Sequence, residues 1–437
     1  MSVLAPLRHV PFRFLLAGRT INALGNSIAP IALAFAVLDL TGSPSDLGLV
    51  VGARMLANVI FLLFGGALAD RLPKHLLMVG AGSAAAVTQG VVAALVLTGT
   101  ATVPLLIALS AVNGMAGAMA LPASSAIVPQ LIPLELRQQA NGLNRLFYNG
   151  AMIIGAPAGG ILVAVVGPGW GIAADAATFV LSALCFAALR IPAPAQAPAP
   201  GQPAPGQPAP DHAAPGQPAV VGRESILTDL RVGWSEFRSR TWLWVVVAGF
   251  ALINACLSGG INVLGPAVAD DTIGRRAWGF VLAAQTAGMV LGAIIAMRYR
   301  ARRLLLVGVV ATAFLTLPPL ALGVAPHLAV LLPAGFVAGV AVEQFSVAWE
   351  TTMQEHVPAD KLARVYSYDM VGSFVAIPVG QVLAGPIAEA VGVEPALVGA
   401  AGLIGLAVVF MLSSRDVRHL RHALPAEPKT TVEELPA

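Results

Sequence analysis

The chain has 437 residues, 57% of them hydrophobic and 11% charged. A soluble domain carries about 25% charged residues, so this sequence holds too little polar surface to clothe a water-soluble fold. A formal net charge of only +3, with no Lys or Arg run to follow a phosphate backbone, argues against nucleic acid as a partner.

A membrane-spanning helix needs about 20 mostly apolar residues. Such runs fall at roughly 12–38, 46–68, 75–98, 102–127, 139–166 and 169–190. A second set falls at roughly 241–267, 277–297, 303–323, 327–349, 365–391 and 395–413. Only helices pair all their backbone groups within runs of this kind. The expected fold class is therefore an all-α membrane protein with twelve transmembrane helices. Residues 1–190 form a first six-helix bundle, 241–413 a second, and 414–437 a tail.

Between the bundles, residues 191–222 contain ten of the 33 prolines, and Pro-Gly-Gln-Pro occurs at 200–203, 205–208 and 215–218. With almost no large apolar side chain, this stretch reads as a disordered spacer. Residues 223–240 then read as an amphipathic helix on the membrane surface. Ile226, Leu227, Leu230, Trp234 and Phe237 share one face, and Asp229, Arg231, Glu236 and Arg238 the other.

The positive charges set the expected orientation. Of the 25 Lys and Arg, 20 lie at one set of helix ends, two (Arg275, Arg276) at the other, and three (Arg19, Arg54, Arg145) inside helices. Both termini are thus expected in the cytoplasm of a cell with an inner or plasma membrane. Cys185 and Cys256 lie in separate apolar runs and offer neither a disulfide framework nor a zinc spacing. No phosphate-binding Gly-x-x-x-x-Gly-Lys-Ser/Thr loop, nucleophile–base arrangement or metal motif is present. Enzymatic activity, cofactors and metals are therefore not expected.

The halves repeat. Gly65-Gly66-Ala67-Leu68-Ala69-Asp70-Arg71 aligns with Gly292-Ala293-Ile294-Ile295-Ala296-Met297-Arg298 at a shift of 227 residues. Leu131-Ile132-Pro133-x-Glu135 aligns with His356-Val357-Pro358-x-Asp360 at 225, and Pro157-x-Gly159-x-Ile161-Leu162 with Pro378-x-Gly380-x-Val382-Leu383 at 221. Three matches in one order indicate duplication. Parallel six-helix repeats place a substrate site between the halves near the midplane.

The run Gly65 to Lys74 resembles the Gly-x-Leu-Ala-Asp-Arg-x-Gly-Arg-Lys signature between the second and third helices of major facilitator superfamily transporters. Pro73 stands where Gly is usual and His75 where a second cation is common. The stretch from Arg13 through Leu38-Asp39-Leu40-Thr41-Gly42-Ser43-Pro44 to Asp70 is similar to the bacterial branch of macrolide, tetracycline and siderophore exporters. The resemblance implies the major facilitator fold, as two six-helix pseudo-repeats. It also implies a conformational latch in which Asp70, with Gly66, Arg71 and Lys74 in its loop, meets the positive N-terminal end of the eleventh helix near Arg364. The alternative is an acid that only shapes a tight turn. Exporting antiporters of the superfamily carry Gly-Pro-x-x-Gly-Gly on the fifth helix. Gly155, Pro157 and Gly160 resemble it, with Ala156 in place of the first motif glycine. Ser110 stands where many proton-coupled members carry an arginine.

Polar residues inside helices complete the candidates. Arg19, Asn22, Asn26, Asn58, Asn113, Tyr148, Asn149, Asn254, Asn262, Gln285 and Gln344 are cavity candidates, with glue between helices as the alternative role. Arg54, Arg145, Glu343 and Asp369 are candidates for proton coupling or for fixed ion pairs, because a charge inside a membrane needs compensation. The expected function is export of an amphipathic small molecule by alternating access in exchange for protons, by a monomer in the lipid bilayer. Metabolite uptake, or a non-transporting sensor or assembly factor on the same scaffold, are the alternatives.

Overall fold

The computed structural model describes residues 4–69, 74–133, 136–189, 234–235, 237–298 and 301–421. Twelve helices among them are long and apolar enough to cross a membrane. In chain order they are α1 (Val10–Thr41), α2 (Pro44–Ala69), α3 (Lys74–Leu97), α4 (Val103–Leu131), α5 (Arg137–Val166) and α6 (Pro168–Ala187). The second half holds α7 (Thr241–Asp271), α8 (Arg275–Arg298), α9 (Leu304–Val324), α10 (Leu328–His356), α11 (Ala359–Phe374 continued by Ala376–Val391) and α12 (Val393–Ser413). No strand occurs among the described residues.

Apolar runs located these helices well. The largest discrepancy is at α10, whose apolar run fades near 349 while the helix continues to His356. The extra turns carry Glu350, Gln354 and Glu355, which end the hydropathy signal but not the helix. Three second-half helices are irregular, each one turn before a proline. A π-helical segment spans Ser258–Leu264 before Pro266, a 3-10 segment spans Thr312–Thr316 before Pro318, and α11 breaks at Val375 before Pro378. Proline lacks the N–H that the carbonyl four residues earlier would accept from. Those carbonyls belong to Asn262, Phe314 and Phe374, inside or beside the three irregularities. Pro157 and Pro333, by contrast, sit in continuous α-helix.

Helix neighbours recur on adding six. α1 packs on α5 and α6, α2 on α4, and α3 on α4 and α6; α7 packs on α11 and α12, α8 on α10, and α9 on α10 and α12. The two main contacts between halves, α5 with α8 and α2 with α11, exchange under the same shift. The α5–α6 and α11–α12 turns are copies too. Gly167 (φ 92°) and Gly392 (φ 93°) occupy the positive-φ region in them, 392 − 167 = 225 residues apart, where a side chain would strain the backbone.

An even number of crossings puts both chain ends on one face, called here the terminal face; the other is the far face. The buried core divides between them. One continuous apolar cluster joins both halves toward the far face, through Phe35, Leu47 and Ile172 of the first half and Val263, Trp278 and Leu397 of the second. Toward the terminal face the cores are separate. The first half packs Phe12, Leu15, Ile127 and Phe186 together, and the second packs Trp242, Phe345, Trp349 and Met353.

Candidate functional site

The far face is sealed by small residues and by charge. Helix α5 lies between α1 and α8: Gly155 and Gly159 face Ser27 and Ile28 of α1, while Ala156 and Gly160 face α8. A Cβ on Gly160 would stand 2.8 Å from the Arg275 carbonyl oxygen, and one on Gly279 2.5 Å from that of Ala156. Hydrogen in place of a side chain is what lets these backbones touch. On the pseudo-symmetric side, Gly48 of α2 faces the Gln381 backbone, and Gly385 of α11 faces Ser45.

Polar groups close the same face. Arg275 Nε donates to Asp270 Oδ1 at 2.8 Å, and Nη1 donates to Asp39 Oδ2 at 2.9 Å. Nη2 donates to Asp270 Oδ2 at 3.0 Å and also reaches Asp39 Oδ1. Since Asp39 belongs to α1, this guanidinium pins the first half to the second, and it also lies 4.8 Å over the Phe35 ring. Ser45 Oγ donates to Glu389 Oε1 at 2.6 Å across the other contact.

Beneath the seal is a cavity of about 340 Å³ between the halves. Pro30 and Ile31 of α1, Val51 and Met55 of α2, Ile261 and Pro266 of α7, and Trp278 and Leu282 of α8 supply its apolar wall. Its polar groups are Arg54 and Asn58 on α2, Asn262 on α7 and Gln381 on α11. These are oriented from behind. Asn58 Nδ2 donates to the Gly114 carbonyl at 3.2 Å, and Ser258 Oγ, in the π-helical segment, accepts from Asn262 Nδ2 at 3.0 Å and Gln381 Nε2 at 2.8 Å. Gln381 Oε1 and the Arg54 guanidinium make no hydrogen bond among the described residues. An apolar chamber with few convergent polar groups is the usual form of a small-molecule site.

The other candidates lie elsewhere. Arg19 Nε donates to Ser124 Oγ at 3.1 Å, and Asn26 Nδ2 to Asn22 Oδ1 at 2.6 Å. Asn113 Nδ2 donates to Thr88 Oγ1 at 3.2 Å, Asn254 Nδ2 to the Ser373 carbonyl at 3.0 Å, and Gln344 Nε2 to the Gly292 carbonyl at 2.6 Å. Gln285 lines a smaller hollow behind Trp278. Tyr148 is exposed and Asn149 half-buried on α5. Asp369 accepts from Trp349 Nε1 at 3.1 Å and from Ser373 Oγ at 3.3 Å, while Glu343 is half-buried on α10. Arg145 is exposed, and no ion pair joins it to Glu343 or Asp369. Gly155, Pro157 and Gly160 form the α5 faces described above. Of the loop residues, Gly66 lies in the last turn of α2 and Lys74 begins α3. Asp70, Arg71 and the side chain of Arg364 lie outside the described residues. From the amphipathic stretch, Trp234 and Phe237 stack at 5.7 Å, and both rings lie against Tyr368 of α11.

Three features of the structure escaped the sequence reading. Asp39 and Arg275 stand 236 residues apart with nothing local to connect them. Gln381 looked like any intramembrane amide. Asp175 had a usable signal, a lone acid amid the apolar run Gly171 to Leu181, and it is fully buried.

The family model described as Major Facilitator Superfamily matches residues 15–284 and 271–435. The chain is 25% identical to the multidrug efflux pump Tap of Mycolicibacterium fortuitum, over 94% of its own length and 97% of that protein's. Among solved structures, the nucleoside transporter NupG aligns with a TM-score of 0.69 at 13% identity, covering 92% of this chain and 98% of that one. A bacterial homolog of the human lysosomal transporter Spinster, in an inward-facing and occupied conformation, aligns with a TM-score of 0.67 at 14% identity, covering 93% and 97%. Likeness at such identities speaks for the fold. With twelve spanning helices in two pseudo-repeats and a family match along nearly its whole length, this chain belongs to the Major Facilitator Superfamily and is a transporter, not an enzyme.

Proposed function

We infer that the protein exports an amphipathic small molecule by alternating access, driven by protons moving inward. The observation that carries this reading is the cavity, apolar on most sides and polar at Arg54, Asn58, Asn262 and Gln381, lying under a sealed far face. With the terminal face cytoplasmic, the orientation the positive charges favour, the structure corresponds to an inward-facing state of a bacterial plasma-membrane protein acting as a monomer. An exporter loads its cargo in that state. Similarity to a multidrug efflux pump over nearly the full length supports the direction.

Alternating access follows from the two kinds of packing. The far-face contacts rest on a shared apolar core, hydrogen bonds and backbone approach, surfaces that can separate as rigid bodies. The separate terminal-face cores let each half move as a body. On rocking, the terminal ends converge, and the latch implied by the loop resemblance, Asp70 against the N-terminal end of the eleventh helix, would hold them. Asp369, beside Trp349 and Ser373, and Glu343 are carboxylates on that side which proton movement could charge and discharge.

Uptake uses the same scaffold and is the second reading. Inverted membrane vesicles distinguish them. With tetracycline as a fluorescent probe and an imposed proton gradient, accumulation inside the vesicles supports export, and flux indifferent to the gradient removes the coupling. A panel of probes none of which moves, in wild type or in Asp70→Asn and Glu343→Gln variants, favours a sensor or assembly factor.

A further inference from the structure

Asp175 of α6 is 0% exposed in the interior of the first half. Its Oδ2 accepts one hydrogen bond, from Gln89 Nε2 of α3 at 2.6 Å. Its Oδ1 has no donor and abuts Gly25 of α1, where an added Cβ would stand 2.5 Å away. Helix α6 packs on α1, α3 and α5. The carboxyl meets Gly25 of α1 and Gln89 of α3, both uncharged. Among the described residues no ion pair reaches the carboxyl, and Arg54 of α2 is a cation of the same half beyond ion-pair range of it.

Three hydrogen bonds, on residues adjacent in sequence but not bonded to one another, step from the cavity wall to this carboxyl. Arg54 and Asn58 line the chamber. Asn58 bonds to Gly114 of α4, the adjacent Asn113 bonds to Thr88 of α3, and the adjacent Gln89 bonds to Asp175. The steps run from α2 to α4, from α4 to α3 and from α3 to α6. An ionised carboxylate inside a membrane protein needs a cation or several donors. Asp175 has a single amide donor here, so the neutral carboxyl is the form that suits this conformation.

We propose that Asp175 is a proton-carrying site of the transport cycle, held by Gln89 and charged or discharged according to how closely Arg54 approaches it. The proposal rests on the reading of the chain as a proton-coupled exporter and names a carrier for its proton. The step balances without another reactant. The carboxyl O–H bond breaks, the proton passes to water admitted to the carboxyl as the helices of the first half move, and the remaining carboxylate is matched by the Arg54 guanidinium. Loss of that match reverses the step. Arg54 is thus a positioning residue whose charge couples the cavity to the proton site.

The experiment is a pH-titrated infrared difference measurement on the full chain in liposomes, reading the carbonyl stretch of protonated carboxyl groups. Asp175→Asn is expected to lose one titrating band, and Gln89→Leu to keep the band but move its midpoint. In parallel, the liposomes are given a pH gradient and tetracycline as the probe. Asp175→Asn is expected to retain exchange at equal pH while losing gradient-driven accumulation at least tenfold. Persistence of the band and of gradient-driven accumulation in Asp175→Asn overturns the proposal and leaves proton-coupled export standing. Wild-type accumulation that ignores the gradient overturns both. If Asp175→Asn does not fold, Gln89→Leu decides, because an unmoved midpoint contradicts the proposal.

Discussion

The two faces of this transporter are built from the same duplicated helices and held in opposite ways. At the far face, a shared apolar core, glycine-mediated backbone contacts and the Asp39–Arg275–Asp270 cluster tie the halves together. At the terminal face, the cores are separate, and the first segment of α11 packs chiefly on α7 of its own half. Closure is thus not a property of the fold. It belongs to a few contacts that one face makes in this state, and exchanging which face makes them is what alternating access requires.

Contacts this close should be easy to break with bulk. Gly279→Leu drives a branched side chain into the Ala156 carbonyl, and overpacking of this kind costs about 1–3 kcal/mol or more. Opening of the far face and loss of vectorial transport by at least tenfold are expected, with exchange assays and labelling of an Asn262→Cys probe from each side as the measurement. Arg275→Ala leaves Asp39 and Asp270 facing each other without their cation. The pair is partly exposed, with 22% and 41% of the side chains accessible, so solvent screening reduces its worth to about 1 kcal/mol. That corresponds to about a fivefold shift in the ratio of the two states, read by the same labelling.

Asn58→Ala separates cavity from gate. It removes one polar group from the chamber, worth about 1 kcal/mol for a hydrogen bond, and no far-face contact. Probe affinity should fall several-fold while the labelling pattern stays that of the wild type. Glu389→Gln has the smallest effect expected, because Ser45 can still donate to the amide oxygen of an exposed partner. A change of about 0.5 kcal/mol or less should be barely visible in transport. If it matched Arg275→Ala, the seal would be spread evenly over both contacts rather than centred on Arg275.

The architecture was legible because the membrane imposes a simple rule: uninterrupted apolar runs must be helices. Duplication was legible in three short matches, and Gly167 and Gly392 repeat it in backbone geometry. The site was legible only in part. Arg54, Asn58 and Asn262 stood out as polar groups on helical faces, and they do line the cavity. Helical periodicity, though, does not say which neighbour a face meets, so Asn113, Asn254 and Gln344 could not be told apart from them; each bonds to an adjoining helix instead. Gates are harder still. The Asp39–Arg275 contact joins residues from different halves, 236 positions apart. Asp175 was overlooked because its neighbours Ala173, Ala174, Ala176 and Ala177 leave no polar stripe around it.

The reciprocal movement of the two faces is the claim most open to direct test. Spin labels would be placed at Leu40 and Thr272 across the far face, and at Leu146 and Met370 across the terminal half, in a background lacking Cys185 and Cys256. Pulsed electron–electron distances would then be compared with and without Arg275→Ala. Alternating access predicts that the substitution lengthens the first distance and shortens the second within the same population of molecules. A far-face distance that lengthens while the terminal one stays fixed, or lengthens with it, would contradict rocking of two rigid halves about the cavity.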